Sequence, residues 1–230
     1  MASTMRFDAP EGEFTGYAAW PEGKPRAAVV VIQEIFGVNA AMREVCDELA
    51  SWCGYLAVCP DLFWRLEPGV DITDQTQAEW DRALDLMGRF DVDRGVEDIA
   101  LVIAQLRREG PGKVGAVGYC LGGKLAYLTA ARTDSDASVG YYPVGLDALV
   151  LEAGKIERPL MLHVAEEDGF STREGRARFI AALEPRPSVT VHTYPGRDHA
   201  FARPGGKHFH QGDAALANER TAGFFREHLG

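Results

Sequence analysis

The stretch VGAVGYCLGGKLAYLTAA, Val114–Ala131, joins an apolar strand to a helix through one sharp turn. Apolar residues from Val114 to Val117 lead into Gly118–Gly123, and a run of small and apolar residues with helical spacing follows directly. A chain passes from strand to helix over one residue only when the neighbouring residues lack Cβ atoms that would clash. This is the G-x-S-x-G nucleophile elbow with a thiol in place of the hydroxyl. We therefore expect Cys120 to be presented at the end of a strand.

Strands and helices alternate on both sides of this turn. We predict strands over Phe14–Trp20, Arg26–Gln33, Tyr55–Cys59, Lys113–Val117, Ala137–Tyr142, Pro159–Val164 and Ser188–Tyr194. We predict helices over Ala40–Trp52, Thr76–Gly88, Asp93–Glu109, the segment after the turn, Arg173–Leu183 and Asp213–His228. Such alternation predicts an α/β fold with a mostly parallel, twisted sheet covered by helices on both faces, in three layers. We expect one domain over residues 1–230, with long loops at 61–75 and 195–212.

Composition excludes several classes of partner. The chain has 230 residues, 46% of them hydrophobic, and a formal net charge of -10. Nucleic acids and anionic membranes attract clustered Lys and Arg, so neither is an expected partner.

No apolar stretch has the length of a signal peptide core or a membrane span, and we expect a cytoplasmic protein. The remaining cysteines, Cys46, Cys53 and Cys59, form no zinc-type spacing and are expected to be reduced, small buried residues.

Two further residues complete the chemistry that an elbow nucleophile needs. Asp168 follows the predicted strand in LMLHVAEEDGF, and His199 follows the next one in TYPGRDHAFARP. Cys120, Asp168 and His199 each come directly after a strand, so they should meet at one edge of a parallel sheet. Their chain order, nucleophile, acid and histidine, is that of the α/β hydrolases. An imidazolium beside the sulfur would stabilise a thiolate, and the carboxylate would hold the Nδ1 proton.

Five motifs carry a resemblance to a known family. They are QEIFG at 33–37, GYCLGG at 118–123, GYYPVGL at 140–146, EEDGF at 166–170 and HAFARP at 199–204. In this order and over most of its length, the chain resembles the dienelactone hydrolase family of α/β hydrolases, with Cys-His-Asp in place of Ser-His-Asp. The resemblance implies the α/β-hydrolase fold.

The resemblance also implies roles for the other residues in these motifs. Glu34 is similar to the family's buried glutamate, which receives the cysteine proton and is displaced when substrate binds. Ile35 and Leu121 would donate backbone N–H groups to an oxyanion hole. Arg203 resembles a family arginine that pairs with the substrate carboxylate, a task that suits bidentate geometry.

Some residues are assigned to the pocket with less support from motifs. Arg82 is placed as a second substrate-binding arginine by its approximate position alone. Tyr142 stands where a family tyrosine lines the pocket, and Phe36, Trp80 and Trp64 are expected to add apolar walls. Other histidines have structural interpretations: His163 and His192 are expected to be packed or hydrogen-bonded, and His208 and His210 to lie in a surface loop.

The reaction implied by the resemblance is hydrolysis of a dienelactone to maleylacetate through a thioester acyl-enzyme. The substrate would be a small anionic lactone or ester, and no metal or organic cofactor is needed. Two alternatives remain: a broader carboxylesterase or thioesterase on the same machinery, and a non-catalytic α/β module or thiol redox sensor. Nothing in the sequence requires more than a monomer.

Overall fold

The computed structural model, which describes residues 1–230, contains one sheet of eight strands. The strands are β1 (Ala2–Ala9), β2 (Gly12–Ala19), β3 (Ala28–Ile32), β4 (Leu56–Pro60), β5 (Val114–Tyr119), β6 (Ala137–Tyr141), β7 (Leu160–Ala165) and β8 (Val189–Tyr194). The helices are α1 (Ala40–Cys53), α2 (Gln77–Arg89), α3 (Val92–Glu109), α4 (Leu121–Arg132), α5 (Arg173–Leu183) and α6 (Gln211–Leu229). A 3₁₀ segment covers Leu146–Lys155.

The sheet order is β1-β2-β4-β3-β5-β6-β7-β8. Pairing from β4 through β3 to β8 is parallel, and β2 is antiparallel to both β1 and β4. Every residue of β3, β4, β5, β6 and β7 is buried, which explains why these segments lack a polar face. The predicted mostly parallel α/β sheet is confirmed.

Helices cover both faces of the sheet. On one face, α1 contacts β2, β3 and β4, while α6 contacts β5, β6 and β7. On the other face, α3 contacts β1, β3 and β5, and α4 contacts β3, β5 and β6. The three layers predicted from the alternation are therefore present. None of the helices combines the length and the apolar character needed to cross a membrane.

Two elements were not predicted from the sequence. Strand β1 lies at the sheet edge with only Phe7 fully buried, so its residues show too little apolar alternation to predict a strand. The 3₁₀ segment contains Leu149 in a non-helical conformation, and this kink interrupts the regular spacing that predicts a helix. Neither difference affects the carboxyl ends of β3, β5, β7 and β8, where the predicted site residues lie.

Candidate active site

Cys120 occupies the turn between β5 and α4 in a strained backbone conformation. Its φ is 58° and its ψ is -114°, values that a residue with a side chain rarely adopts. A Cβ atom on Gly118 would lie 1.9 Å from the carbonyl oxygen of Gly122, and one on Gly122 would lie 2.2 Å from that of Ile32. The Cys120 N–H donates to the Tyr141 carbonyl at 3.1 Å. Close packing of glycines against neighbouring backbone thus holds the nucleophile elbow in place.

His199 and Asp168 meet across the turns that follow β8 and β7. His199 Nδ1 lies 2.9 Å from Asp168 Oδ2, and because a carboxylate only accepts, Nδ1 carries the hydrogen. The Phe170 N–H donates to Asp168 Oδ1 at 2.9 Å, which fixes the carboxylate in the plane that the imidazole requires. Both side chains are buried. Nε2 of His199 is left for the reacting group.

The charge of His199 depends on its two neighbours. Burial alone would lower the pKa of His199, because it disfavours the charged imidazolium. The charge of Cys120 and the hydrogen bond with Asp168 outweigh burial, and they raise the pKa of His199 to about 10. When Cys120 is the thiolate, the imidazole beside it is protonated, and this ion pair stabilises the thiolate.

The backbone N–H groups of Ile35 and Leu121, the two residues predicted to form an oxyanion hole, have no acceptor. Ile35 follows β3 and Leu121 begins α4, and both residues are buried. Neither N–H donates to a carbonyl or to a side chain in the hydrogen-bond network of the protein. Buried N–H groups are normally paired, so these two donors are available to a ligand, and their assignment to an oxyanion hole stays a prediction.

A second group of charges lies around Arg203. Arg203 Nη1 donates to Glu34 Oε2 at 2.9 Å, and Nη2 donates to Asp74 Oδ2 at 2.6 Å. The guanidinium carbon lies 5.2 Å from the centre of the Phe36 ring. Burial would lower the pKa of Arg203, but Glu34 and the other acidic neighbours raise it, so the cation stays protonated. Glu34 Oε1 is buried and has no partner.

The sequence of this chain is similar to those of known hydrolases. The sequence profile of the dienelactone hydrolase family matches residues 14–229. The chain belongs to the dienelactone hydrolase family. It is 52% identical over 224 residues to a protein of Azospirillum brasilense named "Putative carboxymethylenebutenolidase", with 96% of each chain covered. It is 39% identical over 206 residues to the carboxymethylenebutenolidase of Pseudomonas putida, with 89% of this chain and 87% of that protein covered.

A solved structure has the same fold. The chain superposes on the crystal structure titled "Putative Dienelactone Hydrolase" from Klebsiella pneumoniae with a TM-score of 0.86 and 24% identity, covering 98% of both chains. At that identity the likeness shows the α/β-hydrolase fold alone. The family match and the named relatives identify this chain as a carboxylic ester hydrolase of the dienelactone hydrolase type. They argue against the alternative of a non-catalytic module or redox sensor.

The structure brings most of the site residues predicted from the dienelactone hydrolase motifs together. The Tyr142 ring meets the His199 ring edge to face at 5.1 Å, and its hydroxyl is buried without a partner. Phe36 lies under the Arg203 guanidinium and meets Trp80 edge to face at 5.2 Å. Tyr142 also lies close enough to Arg203 to affect its pKa, so the imidazole and the arginine with its apolar neighbours lie in one region.

Arg82 and Trp64 have their contacts elsewhere. Arg82 forms an ion pair with Glu67, and both side chains are more than two-fifths exposed. The assignment of Arg82 as a second substrate arginine therefore gains no contact with the site and stays a prediction. Trp64 stacks on Phe14 of β2 with ring centres 5.4 Å apart and donates to Asp98 Oδ2 of α3 at 2.9 Å. Its contacts are therefore with β2 and α3 and not with the predicted pocket.

Three residues of the site were not predicted from the sequence. Asp198 Oδ1 accepts the N–H groups of Gly169 at 3.0 Å and His199 at 2.7 Å, which joins the acid loop to the histidine loop. Phe170 packs against the His199 ring at 4.7 Å. Asp74 pairs with Arg203. Phe170 ends the EEDGF motif, and Asp198, a common turn residue, immediately precedes HAFARP. Nothing near Asp74 in the sequence points to Arg203.

The remaining histidines have structural contacts. His163 is buried and bonds Tyr194 and Thr221, which confirms its prediction as a packed, hydrogen-bonded residue. His192 stacks beside His163 with ring centres 5.8 Å apart. His208 contacts the backbone oxygen of His199 at 3.2 Å, and His210 accepts the N–H of Asp213 at the start of α6. No group of three or more His, Cys, Asp or Glu residues has the arrangement of a metal site.

Proposed function

We propose that this chain hydrolyses a dienelactone, 4-carboxymethylenebut-2-en-4-olide, to maleylacetate through a thioester on Cys120. The observation that carries the proposal is the nucleophile elbow that presents Cys120, together with the hydrogen bond of 2.9 Å between His199 Nδ1 and Asp168. The relatives named carboxymethylenebutenolidase support the same reaction.

Acylation of the enzyme begins at the lactone carbonyl. The Cys120 thiolate attacks this carbon, and the N–H groups of Ile35 and Leu121 stabilise the oxyanion of the tetrahedral intermediate. When the intermediate collapses, the ring C–O bond breaks and the enol oxygen departs as an enolate. An enolate is a weaker base than a simple alkoxide, so a thiolate can expel it. The His199 imidazolium supplies the proton that converts the enolate to its neutral form.

Deacylation uses the change in charge at sulfur. Because the charge of Cys120 helps to keep His199 protonated, its conversion to a neutral thioester lowers the affinity of the imidazole for its proton. After the proton has gone to the leaving group, neutral His199 acts as a general base toward water. Water attacks the thioester as one of its protons passes to His199, and the C–S bond then breaks to release the thiolate. The new carboxylic acid loses its remaining proton to solvent, and the product leaves as a carboxylate with the imidazolium restored.

Glu34 is proposed to exchange a proton with Cys120, and Arg203 is proposed to bind the substrate. Glu34 is almost fully buried, one of its oxygens is bound to Arg203, and the other has no partner. In a resting enzyme that holds Cys120 as a thiol, this oxygen would take the thiol proton when substrate binds, which generates the thiolate that begins acylation, and it would return the proton once the product has left. Arg203 would pair with the substrate carboxylate. Tyr142 and Phe36 would line the pocket around the ring.

A specific observation favours a second candidate function, a carboxylesterase that prefers neutral esters. Arg203 is already flanked by two carboxylates, Glu34 and Asp74, and this leaves the group of three with a net negative charge. This negative charge would repel an anionic substrate, whereas it would not repel a neutral ester.

The test is steady-state hydrolysis of the cis and trans dienelactones and of the neutral ester p-nitrophenyl acetate. We expect a higher kcat/KM for at least one lactone than for the neutral ester, and loss of both activities in Cys120→Ala. Cys120→Ser should keep a small residual rate. A neutral ester hydrolysed well by a protein that leaves both lactones untouched would favour the second candidate. Full activity in Cys120→Ala would overturn the thioester mechanism.

A further inference from the structure

Arg203 is bound on two sides by carboxylates that differ in exposure. Its side chain is 12% exposed, and Glu34 on one side is 1% exposed. Asp74 on the other side is 11% exposed and lies in the loop that leads to α2. The residue immediately after β3, Gln33, donates to the Glu34 carbonyl oxygen and accepts the Leu62 N–H, which ties the buried segment at Glu34 to the loop after β4. Asp74 is the more exposed of the two partners.

Asp74 has two contacts with residues near it in sequence and one with the distant Arg203. Asp74 Oδ1 accepts from the amide of the adjacent Gln75 at 2.7 Å, and its carbonyl oxygen accepts from Trp80 Nε1 at 3.0 Å. Asp74 Oδ2 accepts from Arg203 Nη2 at 2.6 Å. The backbone bond to Trp80 would keep the loop in place if the carboxylate left the guanidinium.

We propose that Asp74 determines the charge preference of the site, by occupying the edge of Arg203 that a substrate carboxylate would take. This inference rests on the proposed function, in which Arg203 receives an anionic acyl substrate. A carboxylate that approaches Nη2 meets the Asp74 charge at hydrogen-bond distance from the same nitrogen. Like charges placed together at a desolvated site are strongly unfavourable, so the anion binds only when Asp74 turns toward solvent. A neutral ester needs no such displacement.

The first experiment compares Asp74→Asn with the wild-type protein on the dienelactone and on p-nitrophenyl acetate. Asparagine keeps the shape and one oxygen acceptor for Arg203 but removes the charge. We expect the ratio of kcat/KM for lactone to kcat/KM for neutral ester to rise about tenfold, mainly through a lower KM for the lactone. Asp74→Glu, which keeps the charge, should hold the ratio near the wild-type value.

Asp71→Asn is the matched control for net charge. Asp71 lies in the same loop, is about half exposed and pairs with Arg43 at 2.8 Å instead of with Arg203. The same loss of one negative charge at this position should leave the ratio unchanged. If Asp71→Asn raises the ratio as much as Asp74→Asn, or if neither does, the inference about Asp74 is wrong. Thermal unfolding of each variant shows that it is folded.

A second experiment does not depend on the identity of the substrate. Iodoacetate and iodoacetamide both alkylate Cys120 by displacement of iodide from carbon by the thiolate, and they differ by one negative charge. The rate ratio of iodoacetate to iodoacetamide at Cys120, followed by peptide mass spectrometry, should rise about tenfold in Asp74→Asn and stay constant in Asp71→Asn. If the wild-type protein leaves the lactones untouched, the proposed function fails while this ratio still tests Asp74. An unchanged alkylation ratio in Asp74→Asn refutes the role of Asp74.

Discussion

His199 and His163 are both buried histidines near the same edge of the sheet, but their charges differ. His199 is raised in pKa to about 10, whereas burial lowers the pKa of His163 well below its usual value. His163 forms hydrogen bonds with two hydroxyl groups, those of Tyr194 and Thr221. The titratable groups that act on it are His192 and Arg220, and both lower its pKa. His199 has the Asp168 carboxylate and the Cys120 sulfur beside it. Burial lowers the pKa of both imidazoles, and only the acidic neighbours of His199 reverse that effect.

The two histidines also differ in what holds them. His163 lies within β7, and its neighbour across the register is His192 of β8, so its position is fixed by strand pairing. His199 lies in the loop after β8, and Asp198 fixes it by accepting its N–H. A residue within a strand mainly supports packing, while a residue just beyond a strand can face a substrate. Substitutions at the two positions should consequently separate activity from stability.

The largest effect is expected for His199→Asn. The variant lacks both the general base and the positive charge beside sulfur, so kcat/KM for the best ester substrate should fall about 10³-fold or more. His163→Asn is the matched control, since it makes the same replacement at a buried histidine outside the site. It should lose stability in thermal unfolding yet keep most of its kcat/KM. A comparable loss of activity in the folded His163→Asn protein would contradict the comparison.

The positions of Cys120, Asp168 and His199 could be predicted because local sequence determines where each residue lies. The glycines around Cys120 allow only one backbone path, and Asp168 and His199 follow apolar strands in the chain order typical of the fold. Parallel strands then bring their carboxyl ends to one edge without further information. The buried strands were predictable for the same reason, as an apolar run without a polar face indicates burial on both sides.

The contacts of Arg203 could not be predicted in the same way. Arg203 and Asp74 are 129 residues apart in the sequence, and neither the loop before α2 nor the loop after β8 has a regular pattern. Which of several nearby carboxylates bonds the guanidinium depends on loop conformation. The pKa difference between His199 and His163 was likewise beyond the sequence, because it depends on charges brought close by folding.

Asp168→Asn is expected to have the next largest effect. The amide still accepts from the Phe170 N–H, but it no longer places a negative charge against the Nδ1 hydrogen of His199. The pKa of His199 should fall, and kcat/KM should decrease about 10²- to 10³-fold. The pH profile of kcat/KM measures both effects, and the arm that reports His199 should move to lower pH. A variant with a normal rate and an unchanged profile would show that Asp168 does not orient the imidazole.

The smallest effect concerns stability in mild acid. His163 stays neutral in the folded protein, while in the unfolded chain it binds a proton below its ordinary pKa of about 6.5. Protonation therefore favours the unfolded state, and the free energy of unfolding should fall as pH drops from 7 to 5.5, by up to about 1.4 kcal/mol per pH unit for one such group. His192, whose pKa burial also lowers, acts in the same direction.

Urea unfolding of His163→Phe and Tyr194→Phe at pH 7 and pH 5.5 isolates this contribution. His163→Phe should be less stable at pH 7, by about 1 to 3 kcal/mol, because Thr221 and Tyr194 each lose a partner. Its stability should then fall less steeply toward pH 5.5, since the group that binds the proton on unfolding is gone. Tyr194→Phe removes one hydroxyl partner but keeps the buried imidazole, so it should retain the wild-type pH dependence. Equal slopes in the wild-type protein and His163→Phe would mean that His163 is not held neutral by its surroundings, and the contrast with His199 would be lost.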